Sequence, residues 1–450
     1  MPSAVPAVPL PPTAQLQRVR WSLVTMFGLF GIIVTSWLGR LPSVREALGV
    51  SAGQLGVFLV VGAVGSLVGI TLIGTVIVRH GSATALRLGM AGALAGFSLI
   101  GAGTLLGSIP LFVGGILLNG LFAPATNVSI NLEAARVEQL LGKAILPHVH
   151  AAFSVGALLG SGVAALTSSL HVHVAWHIVG IAVLVTVGRF ALIGPGTELQ
   201  DTPERVLRRT AMRDGSASDD GGRGRRGARG GSVLRAWGEK RTLLIGLVLL
   251  AAAMSEGSAA NWLNLAVVDG FATREAVGAM AYGTFVVAML TVRLLGAGLI
   301  DRFGRVAVLR VSGVSAFLGL LAFGLGPSLP LAWVGIVLWG AGAAMAFPIG
   351  TAAAADDPSK AAARVSVVGS FSSIASLSAP PVLGLLADSW GVRHALLIIT
   401  AAMIISLLAA GQVRPEHIAR RGGGARQADQ EAAQADQEAA HVAQAGSDRI

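Results

Sequence analysis

Gly298-Leu299-Ile300-Asp301-Arg302-Phe303-Gly304-Arg305-Val306-Ala307-Val308-Leu309-Arg310 is the most telling segment of this chain. It is a short basic turn set between two apolar runs, 277–299 and 306–325. Each run can cross a bilayer, because a helix rises about 1.5 Å per residue and the hydrocarbon core is about 30 Å thick. A second copy lies far upstream: Thr75-Val76-Ile77-Val78-Arg79-His80-Gly81-Ser82-Ala83-Thr84-Ala85-Leu86-Arg87. Laid over one another, the copies place Arg79 on Arg302, Gly81 on Gly304, Leu86 on Leu309, Arg87 on Arg310 and Gly96 on Gly319. The chain therefore reads as two related halves, each with a charged hairpin on the same side of a membrane. Repeated halves of this kind are a feature of membrane carriers.

Composition agrees. Of 450 residues, 53% are hydrophobic and 12% charged, against about 25% charged in a soluble domain. There are no cysteines, which excludes disulfides, thiolate metal sites and cysteine nucleophiles together. The net charge of +10 sits in turns and in one linker. Topology accounts for it there, so no nucleic-acid partner is expected.

Twelve segments meet the length and apolarity of a spanning helix. In the first half they run about 21–39, 53–77, 84–106, 110–133, 147–168 and 174–194. In the second half they run about 242–266, 277–299, 306–325, 330–352, 364–386 and 393–412. The proline-rich residues 1–20 carry no charge before Arg18 and lack the shape of a cleaved signal, so a disordered cytoplasmic tail is expected. Residues 195–241, with Gly221-Gly222-Arg223-Gly224-Arg225-Arg226, read as a flexible cytoplasmic linker. The tail 414–450 repeats one heptad, at Gln427 and again at Gln434, with only alanine on its apolar face. That buries too little for a coiled coil, and a disordered tail is expected.

Loop charges set the orientation. With both termini inside, the inner loops hold Arg79, Arg87, Arg136, Lys143, the linker arginines, Arg302, Arg305, Arg310, Lys360 and Arg364. The outer loops hold Arg40, Arg45, Arg274 and Arg393. A multi-pass protein of the cytoplasmic (inner) membrane, with both termini cytoplasmic, is the expectation. Trp21, Trp37, Trp176, Trp262, Trp333 and Trp390 fall near span ends, where an aromatic belt would sit.

Two sets of six spans, a basic central linker and Asp301-Arg302-Phe303-Gly304-Arg305 between spans eight and nine resemble the major facilitator superfamily. That family writes the loop G-x-L-x-D-R-x-G-R-R. The second copy carries Leu299, Asp301, Arg302, Gly304 and Arg305; the first keeps Gly74, Arg79 and Gly81 but has Val78 in place of the acid. The resemblance implies an all-α membrane protein of twelve helices in two pseudo-twofold six-helix bundles, and a gating role for these loops. Trp37-Leu38-Gly39-Arg40-Leu41-Pro42, Pro124-Ala125-Thr126-Asn127 and His150-Ala151-Ala152-Phe153-Ser154 look like the fucose-permease-related branch. The carboxylates which that branch's sugar–proton symporters place in spans one and four are missing here, so sugar specificity does not carry over.

Among polar residues inside the spans, Glu256 stands out, midway along span seven in Ser255-Glu256-Gly257-Ser258. A carboxylate at that depth must be protonated, paired or in contact with a wet cavity. It is either the proton-linked residue or a structural acid bridging helices. Asn261 and Trp262 lie one to two turns farther along. Asn119, Asn127 and Asn131 fall broadly on one face of span four, to bind a polar substrate or to join helices. Arg293 in span eight can pair with an anionic substrate or with Glu256. Trp37 and Arg40 close span one as gate or interfacial anchor. His148 and His150 open span five and either titrate or simply sit at the interface. Gly156, Gly160, Ser376 and Ala379 are small residues at close-packing spacing, and Pro380-Pro381 should kink span eleven.

Neither a phosphate-binding loop nor an H-E-x-x-H metal pair occurs. An enzyme is not expected, and no cofactor or metal is implied. The expected function is secondary active transport of a small polar solute by alternating access, coupled to protons. The cavity would be lined from spans one, four, seven and ten, and one chain would suffice. An exporter of the same fold and a non-transporting sensor are the competing readings.

Overall fold

The computed structural model describes residues 11–143, 145–201, 234–357 and 360–415. Among these, eleven helices are long and apolar enough to cross a membrane. One of them, Glu275–Leu325, is two spans joined at Gly304, whose φ of 78° and ψ of 157° are not helical. With that helix counted twice there are twelve spans.

Spans one to six are Thr13–Leu38, Ala52–His80, Ser82–Leu106, Ile109–Leu141, Leu146–Ser169 and Val174–Gly196. Spans seven to twelve are Lys240–Phe271, 275–303, 305–325, Leu329–Ala354, Ala361–Trp390 and Val392–Val413. Because successive spans alternate in direction, Thr13 and Val413 lie at one end of the bundle, the terminal end. The links Gly39–Ser51, 272–274 and 391 lie at the opposite, far end.

Three details depart from the sequence reading. Span one begins at Thr13, so residues 13–20 are helical rather than tail. Linker residues 198–201 form a 3-10 turn and 234–237 a short helical turn. Span ten is broken, with helices Leu329–Ala343 and Ala346–Ala354 flanking Ala344 and Met345. The glycine–arginine run at 221–226 and the heptads at 427–440 lie outside the described residues.

Large apolar side chains face outward along the spans. Leu184, Val311 and Leu408 are exposed, as lipid-facing residues are in a bundle with no bilayer around it. Trp21, Trp176 and Trp390 are exposed near span ends, where a belt would lie, whereas Trp262 is buried. Helices approach closely where glycine allows it. A Cβ added at Gly156 of span five would fall on the carbonyl oxygen of Gly28 in span one, which accounts for the small-residue spacing there.

The two basic turns fold alike. Gly81 has φ 91° and ψ 167°, close to the values of Gly304, and both lie in a region that is essentially glycine-only. The internal repeat thus extends to the backbone. At the terminal end of the second half, Asp356 accepts from Arg305 Nη1 at 2.7 Å and from Arg241 Nη2 at 3.0 Å. Beside it Glu239 accepts from Arg364 Nε at 2.6 Å, Thr242 Oγ1 at 2.9 Å and Lys360 Nζ at 3.2 Å. Burial works to raise the Glu239 carboxyl, but these donors and the Arg364 charge outweigh it and hold it down at about 2. Glu239 therefore stays ionised at any physiological pH.

Candidate functional site

The polar stripe of span seven begins with Glu256. Ala260 and Asn264 follow at intervals of four, each step drifting about 40° around the helix. Asn264 is nearly sealed, and its Nδ2 donates at 2.5 Å to the carbonyl of Gly39, just past the end of span one. Glu256, about 80° around the helix from Asn264, is turned toward span eight.

Arg293 of span eight meets it there. Its Nη2 donates to Glu256 Oε1 at 2.6 Å and its Nε to Ala344 O at 3.1 Å, the carbonyl at the break in span ten. One arginine thus ties three spans together, and the break supplies a free acceptor at membrane depth. The pair is not sealed: Arg293 keeps 29% and Glu256 30% of its side-chain surface.

The other sequence candidates are distributed unevenly. Asn261 is half-buried on the edge of the Glu256 stripe. Trp262 turns to the opposite side of span seven and is 1% exposed, sealed within the hydrophobic core. In span four, Asn127 is exposed between the face packed on span two and the face lining a pocket in the first half. Asn131 Nδ2 donates to Asn127 O at 2.8 Å and to its Oδ1 at 2.9 Å. Asn119 is separated from them: it packs against span three and donates to Gly115 O at 3.2 Å. Helical spacing of eight residues rotates the direction by about 80°, so the three amides share no single face.

That pocket has a volume of about 200 Å³, and its walls include Phe30, Trp37, Asn119, Thr126, Thr186 and Arg189. Trp37 belongs to it, edge-on to Phe97. Arg189 was not singled out from the sequence, although a lone arginine in the apolar run 174–194 was the available signal. It is 3% exposed, donates from Nη2 to Thr126 Oγ1 at 2.5 Å, and lies 5.4 Å from the Phe30 ring centre.

The far end is latched. Arg40, 3% exposed, brings Nε to 2.8 Å from Glu275 Oε2, an ion contact rather than an aligned hydrogen bond. Glu275 also accepts from Ser43 N, Ser43 Oγ and Ser168 Oγ at 2.9, 2.6 and 2.9 Å. Arg45 forks onto Asp269 at 2.6 and 2.8 Å, and Asp388 accepts from Ser51 Oγ and Gly53 N at 2.9 and 3.0 Å. Among the described residues, every hydrogen bond and ion pair found between the halves lies at this end. At the terminal end Arg79, Asp301 and Arg302 are exposed, with Arg302 lying over the Phe303 ring.

The profile of the Major Facilitator Superfamily matches residues 21–363 and, in a second match, 245–439. The chain belongs to the major facilitator superfamily. This facilitator is 29% identical over 385 residues to the uncharacterized transporter y4wD of Sinorhizobium fredii, covering 85% of this chain and 95% of that one. The structure of the nucleoside transporter NupG matches with a TM-score of 0.65 at 14% identity, over 89% of this chain and 98% of that one. The outward-conformation structure of FucP matches with a TM-score of 0.57 at 13% identity, over 88% and 98%. Both structural likenesses are of fold, so the fucose branch suggested by the motifs is not selected among facilitators. As a member of this family the protein is a multi-pass membrane transporter and not an enzyme.

Proposed function

We propose that this facilitator carries a small polar solute by alternating access, with a proton exchanged at the Glu256–Arg293 pair. The observation that carries the reading is that pair itself, 2.6 Å apart midway along its spans, with about a third of each side chain unburied. A proton delivered to Glu256 leaves Arg293 without its counter-ion. Arg293 is then held only by Ala344 O, at the break of span ten, and span ten is free to shift against spans seven and eight. The family's secondary transport supplies the cycle, and the pair supplies a titratable step within it.

The polar contacts between the halves place this conformation as closed at the far end. The excess of arginine and lysine in the links at the terminal end supports a cytoplasmic position for that end and for both termini. In this orientation the structure is the inward-facing form. Arg79, Asp301 and Arg302, exposed here, are the groups that would engage when the inner end closes.

The test is proton movement driven by a solute identified by thermal-shift screening, in proteoliposomes holding wild type or Glu256→Gln. The variant should fold and bind but move no protons with the solute. Unchanged coupling would remove Glu256 from the mechanism. Efflux against an inward proton gradient in wild type would instead make the protein an exporter.

A further inference from the structure

We propose that the first half holds an anion subsite built on Arg189, which takes the carboxylate of the transported solute. This rests on the transport reading above in taking the solute as the occupant.

Arg189 is almost fully buried in span six, yet among the described residues it has no acidic partner. Its one hydrogen bond there goes from Nη2 to Thr126 Oγ1, and its Nε is buried with no partner at all. A charge held out of water without a counter-ion is costly, and membrane helices rarely keep one without a use. The Phe30 ring, 5.4 Å away, offsets part of that cost and leaves the donors unused. The second half differs: Arg293 is already neutralised by Glu256.

The surroundings suit a single small anion. Arg189 is in the wall of a cavity of about 200 Å³ with Thr126, Thr186 and Asn119 as neutral polar neighbours. Because Thr126 Oγ1 accepts from Arg189, its hydroxyl hydrogen remains to donate to a ligand. Guanidinium forks match carboxylates in shape, with two parallel N–H donors for two oxygens. One arginine balances one negative charge. A phosphate would bring surplus charge into a site with no second free cation among its lining residues. Phe30 and Trp37 would cover the apolar part of the ligand. Arg189 and the Glu256–Arg293 pair would then act in sequence, the first recognising the anion and the second carrying the proton.

The experiment uses the full-length protein in detergent, with thermal midpoints measured against glycolate, lactate and gluconate. Their neutral twins are ethylene glycol, propane-1,2-diol and glucitol, and inorganic phosphate is included. At least one carboxylate should raise the midpoint while its twin and phosphate do not. Arg189→Lys should weaken that binding by about ten- to a hundredfold, and Arg189→Gln should abolish it. Glu256→Gln should leave it in place. If Arg189→Gln does not fold, the carboxylate–twin comparison in wild type and the weaker binding of Thr126→Val decide instead. The proposal is overturned if twins stabilise as well as carboxylates, if no carboxylate binds, if phosphate alone binds, or if binding survives in folded Arg189→Gln. Carboxylate binding that depends on Arg189, beside unchanged coupling in Glu256→Gln, would sink the proton step and leave the subsite standing.

Discussion

At the scale of single residues, the Glu256–Arg293 pair is the feature most open to measurement. A sealed ion pair costs about 3–5 kcal/mol when one partner is removed, because the other charge is stranded. Here about a third of each side chain remains reachable, and solvent screening should reduce the loss to about 1–2 kcal/mol. Arg293→Met is therefore expected to lower the stability of the purified protein by that amount. Adding Glu256→Gln should recover part of the loss, since it removes the stranded charge. A double variant less stable than Arg293→Met would show that Glu256 has another partner. Trp262 shows the opposite outcome: a residue next to the polar stripe in sequence faces away from it, because a step of one residue turns a helix by about 100°.

At the scale of elements, the two basic turns show how a span is reversed with almost no loop. Gly304 lets one helix end and the next begin within a single residue, through a backbone conformation that a side chain would strain. Gly304→Ala should destabilise the protein by about 1–3 kcal/mol. Gly298→Ala, in the same motif but within the helix and with nothing near its Cβ position, should be neutral or slightly stabilising. Equal effects at both positions in a thermal unfolding series would contradict the turn's conformation. The break in span ten has its own sequence marker, Pro348, which lacks an N–H for the Ala344 carbonyl four residues back and crowds it. It is stabilised from outside, by Arg293 reaching the Ala344 carbonyl.

For the whole molecule, the far-end latch determines which face of the carrier is closed. Opening that end requires Ser51 to leave Asp388, and Arg40 to leave Glu275. The chain has no cysteine of its own, so introduced pairs can be read without background. Ser51→Cys with Asp388→Cys should form a disulfide under oxidation that locks the far end. A third change, Asn127→Cys, should then react with an impermeant maleimide from the terminal side only. Reduction should restore reaction from both sides, as the cycling protein exposes the hollow alternately. Labelling from the far side in the locked protein would show that the latch does not close the path.

Span number, the repeat and the basic turns were legible in the chain because each depends on local properties. A run of apolar residues either is or is not long enough to cross lipid, and a glycine between charged residues at a helix end marks a turn. Which polar groups meet was not legible, since that depends on how helices far apart in the chain rotate and cross. The sequence allowed Arg293 either Glu256 or a substrate as its partner, and the packing of span eight on span seven selected Glu256. Arg189, Asn264 and the acids Asp269, Glu275 and Asp388 each act through a partner distant in the chain, which no local pattern reveals. Hydrophobic length is a property of a segment, whereas a pocket belongs to several segments at once, and only the folded bundle brings them within hydrogen-bonding distance.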